Sequence, residues 1–165
     1  MKTISFKTFN IIISLLIALL LFSLLCTSCE KKDAATSSAT LKTIEIQLIA
    51  TTGSSVMGKA VIAENADHSF NVAITLQNTV KDSVMVMHIH NGSIASPGNI
   101  SVSLTDIKGT GGAATGTTLN ITSGMSSTGA TVSLTYDSII KPTRYINIHY
   151  SAGQFNKIVA NGNIQ

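Results

Sequence analysis

The feature that most constrains this fold is a two-residue alternation of apolar and polar side chains, which recurs from residue 41 onward. Ile44, Ile46 and Leu48 alternate with polar residues, and residues 70–76 repeat the pattern. A period of two is typical of a β-strand with one buried face, and no long window after residue 41 has the 3.6-residue period of a helix. The sequence therefore predicts an all-β domain, an antiparallel sandwich or barrel of about 7 to 9 short strands.

Two segments carry the clearest strand patterns after residue 80. Residues 84–104 contain an apolar run, a turn with Pro97 and Gly98, and a second alternating run, and residues 145–150 form another strong strand candidate. Residues 106–118 are rich in Gly and Thr, which indicates either a mobile loop or a weakly patterned edge. Further strands are predicted at 56–62, 119–121, 130–134 and 158–164, with the strands at 56–62 and 70–76 forming a hairpin.

The first 28 residues have the organisation of a secretory signal. Lys2 and Lys7 precede an almost purely apolar stretch, residues 11–25, and small polar residues follow it. The apolar stretch has about 15 residues, fewer than the roughly 20 that span a bilayer comfortably. The pattern predicts a cleaved signal peptide over residues 1–28, with an uncleaved N-terminal anchor as the alternative.

The end of this signal resembles a bacterial lipobox. The sequence from Leu25 to Cys29 reads LCTSC, and Glu30 and three further charged residues follow, as in lipoproteins of the Bacteroidetes group. The resemblance implies cleavage before Cys29 and acylation of its thiol with palmitate-like chains. Two or three chains suffice for a stable membrane anchor. Glu30, in place of an Asp linked to inner-membrane retention, favours an exported protein of the outer membrane.

The residues after the signal predict a flexible tether and a single domain. Residues 29–40 are small and polar without a period, and the folded domain is expected over residues 41–165. Cys26 and Cys29 are the two cysteines, so the domain has no disulfide and no thiolate ligand. Removal of Lys2 and Lys7 leaves nine basic and eight acidic side chains. This balance gives no reason to expect a nucleic-acid partner.

Three histidines are the candidate chemical groups of the domain. His88 and His90 are two residues apart on a predicted strand, so both point to the same face. His149 lies on another predicted strand, and it completes a three-histidine site if the two strands pair. Three neutral imidazoles suit zinc or copper with one open position. The alternative is that these histidines only hydrogen-bond nearby backbone groups. His68 lies in a polar loop and is expected to be exposed.

Two segments resemble the CHRD domain first named from chordin. They are HIHNG, which starts at His88 and is followed by a Gly-containing loop and a strand, and YINIH, which ends at His149. The resemblance identifies a divergent member, because the closing segment 156–162 lacks the family's Glu and Arg. It implies a β-rich, extracellular domain without a defined activity, with parts of 136–142 in a helix or turn.

Other known sites fit less well. The HIH strand is similar to the copper-ligand strand of Cu,Zn superoxide dismutases, which are β-barrels, and the expected sandwich or barrel is Ig-like or dismutase-like. Four histidines are too few for that bimetallic site. No G-x-S-x-G elbow and no P-loop is present. The sequence favours a non-catalytic, lipid-anchored envelope domain with a binding or structural role and an unspecified protein or glycan partner. The alternative is a small protein that binds one copper or zinc ion.

Overall fold

The computed structural model describes residues 41–141 and 143–164. The predicted signal peptide (1–28), the lipidated Cys29 and the tether up to residue 40 lie outside the described residues. No helix among the residues described is long and apolar enough to cross a membrane. The strands and helices are β1 (Thr43–Ala50), β2 (Met57–Glu64), β3 (Phe70–Gln77), β4 (Val84–Gly92), β5 (Pro97–Lys108), β6 (Ala114–Ile121), β7 (Ser123–Met125), β8 (Thr131–Ser133), α1 (Tyr136–Ile139), β9 (Arg144–His149), the 3-10 turn Ala152–Gln154, and β10 (Ile158–Ile164).

Eight of these strands form one antiparallel sheet in the order β5-β4-β9-β10-β1-β2-β3-β6. The sheet curls until its two outer strands approach each other, so that it is nearly closed. The backbone N–H of Thr105 on β5 donates to Thr118 Oγ1 on β6, at 2.7 Å. A Cβ on Gly116 would lie 2.7 Å from the Ile107 side chain, so the missing side chain permits this approach. The prediction of an all-β sandwich or barrel is confirmed.

The core lies inside the curled sheet, and the alternation of the sequence fills it. On β4 the inward residues are Met85, Met87 and Ile89, and on β9 they are Ile146 and Ile148, all fully buried. Burying each such side chain contributes about 1.5–3 kcal/mol. The opposite residues of these two strands therefore point out of the barrel, and these include all three candidate histidines.

The Gly- and Thr-rich segment 106–118 had two alternative predictions, a mobile loop or a weakly patterned edge. Most of 106–118 belongs to strands: β5 extends to Lys108, and β6, an outer strand of the sheet, begins at Ala114. The weakly patterned edge is therefore the correct alternative. The turn between the two strands needs Gly109, because a Cβ there would lie 1.9 Å from the carbonyl oxygen of Val80.

The segment 136–142 begins with a single turn of helix. Thr135 caps α1, since its side chain accepts from the backbone of Ser138 while the Ser138 hydroxyl accepts from the backbone of Thr135. This reciprocal capping compensates for the weak stability of so short a helix. Tyr136 and Ile139 are buried against the sheet. The predicted hairpin of the second and third strands is also confirmed, because β2 and β3 pair along their whole length.

Candidate metal centre

Strand register brings the three candidate histidines onto one face. His88 and His90 alternate with the core residues of β4, and His149 alternates with those of β9. β4 and β9 are hydrogen-bonded neighbours, with His88 opposite Asn147 and His90 opposite Tyr145. All three imidazoles face away from the core, yet only 3–7% of each residue is exposed.

The rings meet at distances that suit a shared ligand. One ligand nitrogen from each of His88, His90 and His149 can be chosen so that all three lie within 4.8 Å of one another. A tetrahedral ion with metal–nitrogen bonds of about 2.0–2.1 Å needs nitrogens about 3.4 Å apart. Closing the widest separation requires a shift of little more than about 1 Å, which small side-chain rotations supply. The three buried histidines could therefore hold a metal ion.

His68, the fourth histidine, takes no part in this cluster. It lies in the turn between β2 and β3, where its Nδ1 is 2.9 Å from Glu64 Oε1 and most of its side chain is exposed. Its backbone has a left-handed φ of 65°. The expectation of an exposed loop residue is confirmed.

Backbone carbonyls fix the orientation of two of the three rings. His90 Nδ1 is 3.1 Å from the carbonyl oxygen of Gly98, and His149 Nδ1 contacts the carbonyl oxygen of Phe155. Because a carbonyl oxygen only accepts, each Nδ1 must carry the proton and donate it. The Nε2 atom of each ring then keeps its lone pair. This arrangement is the usual support for a metal-binding histidine.

Each ring of the cluster has one buried nitrogen without a partner. Across the described residues, the buried side-chain nitrogen and oxygen atoms without a hydrogen bond are His88 Nδ1, His90 Nε2, His149 Nε2 and Asn147 Oδ1. Each such atom costs about 1–3 kcal/mol in lost solvation. All four belong to the same outward face of β4 and β9. Three of the four are ring nitrogens, one from each histidine of the cluster.

Burial keeps the three imidazoles neutral. The pKa of His88 is lowered from 6.5 to about 4, first by desolvation and then by the neighbouring His149 and His90. Desolvation also lowers the pKa of His90 and of His149, against the opposing effect of their carbonyl partners. The cluster includes no carboxylate among the described residues. At neutral pH the rings therefore present lone pairs rather than positive charges.

Two aromatic rings cover the site from the sides. Phe155 stacks on His149 with ring centroids 4.1 Å apart, and it also lies 5.2 Å from His88. Tyr145 stacks on His90 at 4.9 Å. These contacts explain how histidines on the outer face of a sheet become buried. Phe155 itself is 39% exposed, so its ring separates the cluster from solvent.

Sequence reasoning missed two members of this site. Asn147 had a usable signal, because in YINIH it alternates with the core residues exactly as His149 does, which places both on one face. Phe155 had none, since it lies in the irregular loop after β9 and reaches the cluster only through tertiary contacts.

Comparison with known proteins identified no relative of this chain. No protein-family model, no curated protein and no solved structure matches the chain. The resemblance to the CHRD domain therefore depends on the two sequence segments alone.

Proposed function

We propose that this protein binds a single copper or zinc ion through His88, His90 and His149. One observation carries the proposal: three buried, neutral imidazoles converge, and each keeps a nitrogen without a partner. Two of the rings are also oriented by carbonyl oxygens at the other nitrogen, as metal ligands are.

The ligand set selects the kind of metal. Imidazole nitrogen suits zinc and copper, whereas calcium and magnesium prefer oxygen ligands. The predicted domain has no cysteine, so it offers no thiolate of the kind that holds closed structural zinc sites. Three histidines and one open position are typical of a site that exchanges a ligand.

A purely structural role for the histidines does not account for their buried nitrogens without partners. Histidines kept for hydrogen bonding would pair both ring nitrogens or leave one in water. Here one nitrogen of each ring is buried without a partner, at a free-energy cost that a leucine would avoid. A bound ion removes that cost.

We further propose that the protein works at the cell envelope, anchored by lipid on Cys29. Support comes from the lipobox-like sequence that ends at Cys29 and from the apolar segment before it. We also propose that the domain is a divergent CHRD domain, because the segments HIHNG and YINIH resemble that family, and an exported β domain agrees with this. We assign the protein a binding role rather than catalysis, with an outer-membrane location.

Calorimetric titration of the untagged, detergent-solubilised protein with Cu(II) and Zn(II) tests the metal proposal. We expect one ion per chain with submicromolar affinity. His88→Ala, His90→Ala and His149→Ala should each weaken binding at least about 100-fold, the upper end of what loss of an outer partner costs. His68→Ala is the matched control and should bind as the wild type does. Wild-type binding no tighter than millimolar would refute the proposal.

A further inference from the structure

Asn147 is the member of the cluster that a three-histidine site does not explain. It lies on β9 between Ile146 and Ile148, which face the core, so its side chain points outward with His149. It is also the direct cross-strand partner of His88. Only 4% of the residue is exposed. An asparagine in the middle of a strand at this depth needs a polar partner.

The Asn147 Oδ1 atom has no such partner within the protein. It is the only oxygen among the four buried atoms of the described residues that lack a hydrogen bond, and the other three are the histidine nitrogens. A buried oxygen acceptor next to three buried ring nitrogens, all four without a partner, is unfavourable. A group that offers both an electron-pair acceptor and a hydrogen-bond donor would satisfy all four atoms. A metal ion that carries a water molecule is such a group.

We propose that Asn147 Oδ1 accepts a hydrogen bond from a water molecule bound at the fourth position of the ion. The inference rests on the proposed metal site. Zinc and copper take nitrogen, sulfur or carboxylate ligands, and neutral amide oxygens serve calcium instead. Three-histidine sites keep a water molecule in the fourth position. Asn147 is therefore a positioning residue. It holds the exchangeable water molecule, and only the histidines bind the ion.

This arrangement defines the class of ligand that can replace the water. Asn147 is neutral and the three-histidine cluster includes no acid among the described residues, so the charge of the ion stays uncompensated. Anionic ligands are therefore favoured. The rings of Phe155 and Tyr145 stack on His149 and His90, so they limit the size of a ligand that can reach the ion. The open position should take small anions, of which azide is a convenient probe.

Replacement of Asn147 by leucine separates positioning from structure. Asn147→Leu removes an unpartnered buried acceptor, so the metal-free protein should melt no lower than the wild type. The water then loses its acceptor, so the affinity for Cu(II) should fall about tenfold, the equivalent of one hydrogen bond of about 1.4 kcal/mol. The affinity of the Cu(II) protein for azide should rise by a similar factor, because the displaced water is held less firmly. Asn161→Leu, at the direct cross-strand partner of Asn147 on β10 and one strand farther from His88, is the matched control.

Three measurements on the full-length, detergent-solubilised protein test the role of Asn147. Thermal melts give the stability of the metal-free form, calorimetry gives the Cu(II) affinity, and the azide-to-copper absorption band gives the anion affinity. Broadening of the Cu(II) electron paramagnetic resonance signal in water enriched in oxygen-17 should show the bound water directly. A lower melting temperature with unchanged Cu(II) and azide affinities would overturn the inference and leave the three-histidine site intact.

The other outcomes are equally decisive. Absence of oxygen-17 broadening in the wild type would refute a bound water while metal binding still holds. A wild type that binds no Cu(II) would refute both proposals. If Asn147→Leu does not fold, Asn147→Asp tests the same contact with almost the same shape. A carboxylate beside the ion should raise Cu(II) affinity and lower azide affinity, each at least about tenfold, and no change in either would overturn the inference.

Discussion

The pH dependence of stability in the metal-free protein is a direct test of the buried histidines. The pKa of His88 is about 4 in the folded protein, against 6.5 for an unperturbed ring. Between these values the unfolded chain binds a proton that the folded chain does not bind. The stability linked to His88 is therefore intact above pH 6.5 and is lost as the pH falls toward 4.

The size of the effect follows from the two pKa values. At pH 5 the unfolded ring is almost fully protonated and the folded ring is about one-tenth protonated, so His88 alone should cost about 2 kcal/mol relative to pH 8. The pKa values of His90 and His149 are also lowered by burial, so the total loss should be larger.

The assay is urea unfolding, followed by circular dichroism, at pH 8, 6.5 and 5 with a chelator present. His88→Leu removes the titrating ring, so its loss of stability between pH 8 and pH 5 should be smaller than that of the wild type by about 2 kcal/mol. Carboxylates that titrate near pH 5 cancel in this comparison, because both proteins carry the same set. A difference of less than about 0.5 kcal/mol between wild type and His88→Leu would refute the inferred burial of the ring.

Three further predictions concern the cover of the site, the turn after β5 and the anchor. Phe155→Ala should speed the loss of bound Cu(II) to a chelator about tenfold. The Cu(II) affinity should change much less, because the carbonyl of residue 155 still orients His149. An unchanged rate would show that the Phe155 ring does not limit access of the chelator to the ion. Gly109→Ala should lower the free energy of unfolding by at least about 2 kcal/mol in thermal melts, because its Cβ would overlap the Val80 carbonyl. Gly153→Ala is the control: the space around its Cβ is open, so its stability should stay within about 0.5 kcal/mol of the wild type. Cys29→Ala should abolish labelling by a palmitate analogue in cells, and persistent labelling would reject the lipobox.

The strands were predictable because their signal is local. The alternation of Met85, Met87 and Ile89 with their neighbours fixes which side of β4 is apolar, whatever the strand pairs with. The same rule places His88 and His90 together. It fails around 106–118, where β5 continues into polar residues and half of the residues of β6 are Gly or Thr. Those strands are held by pairing with β4 and β3, which a local pattern does not reveal.

The completeness of the site was not predictable from local pattern. Whether His149 meets His88 depends on β9 lying beside β4 and on a register that sets Asn147 opposite His88. A shift of one residue would turn His149 into the core. The need of Asn147 for a partner is visible only once its burial is known.

The sequence by itself determined an all-β domain and a pair of histidines on one strand face, because side-chain direction along a strand repeats every two residues. It also supplied the lipobox-like signal on which the proposed anchor depends. The tertiary structure decided that His149 joins that pair, through the pairing of two distant strands. It also decided that the three rings are buried, with Phe155 stacked on His149 and Tyr145 stacked on His90. Burial, rather than the presence of histidine, leaves four polar atoms without partners and makes this face a candidate metal site.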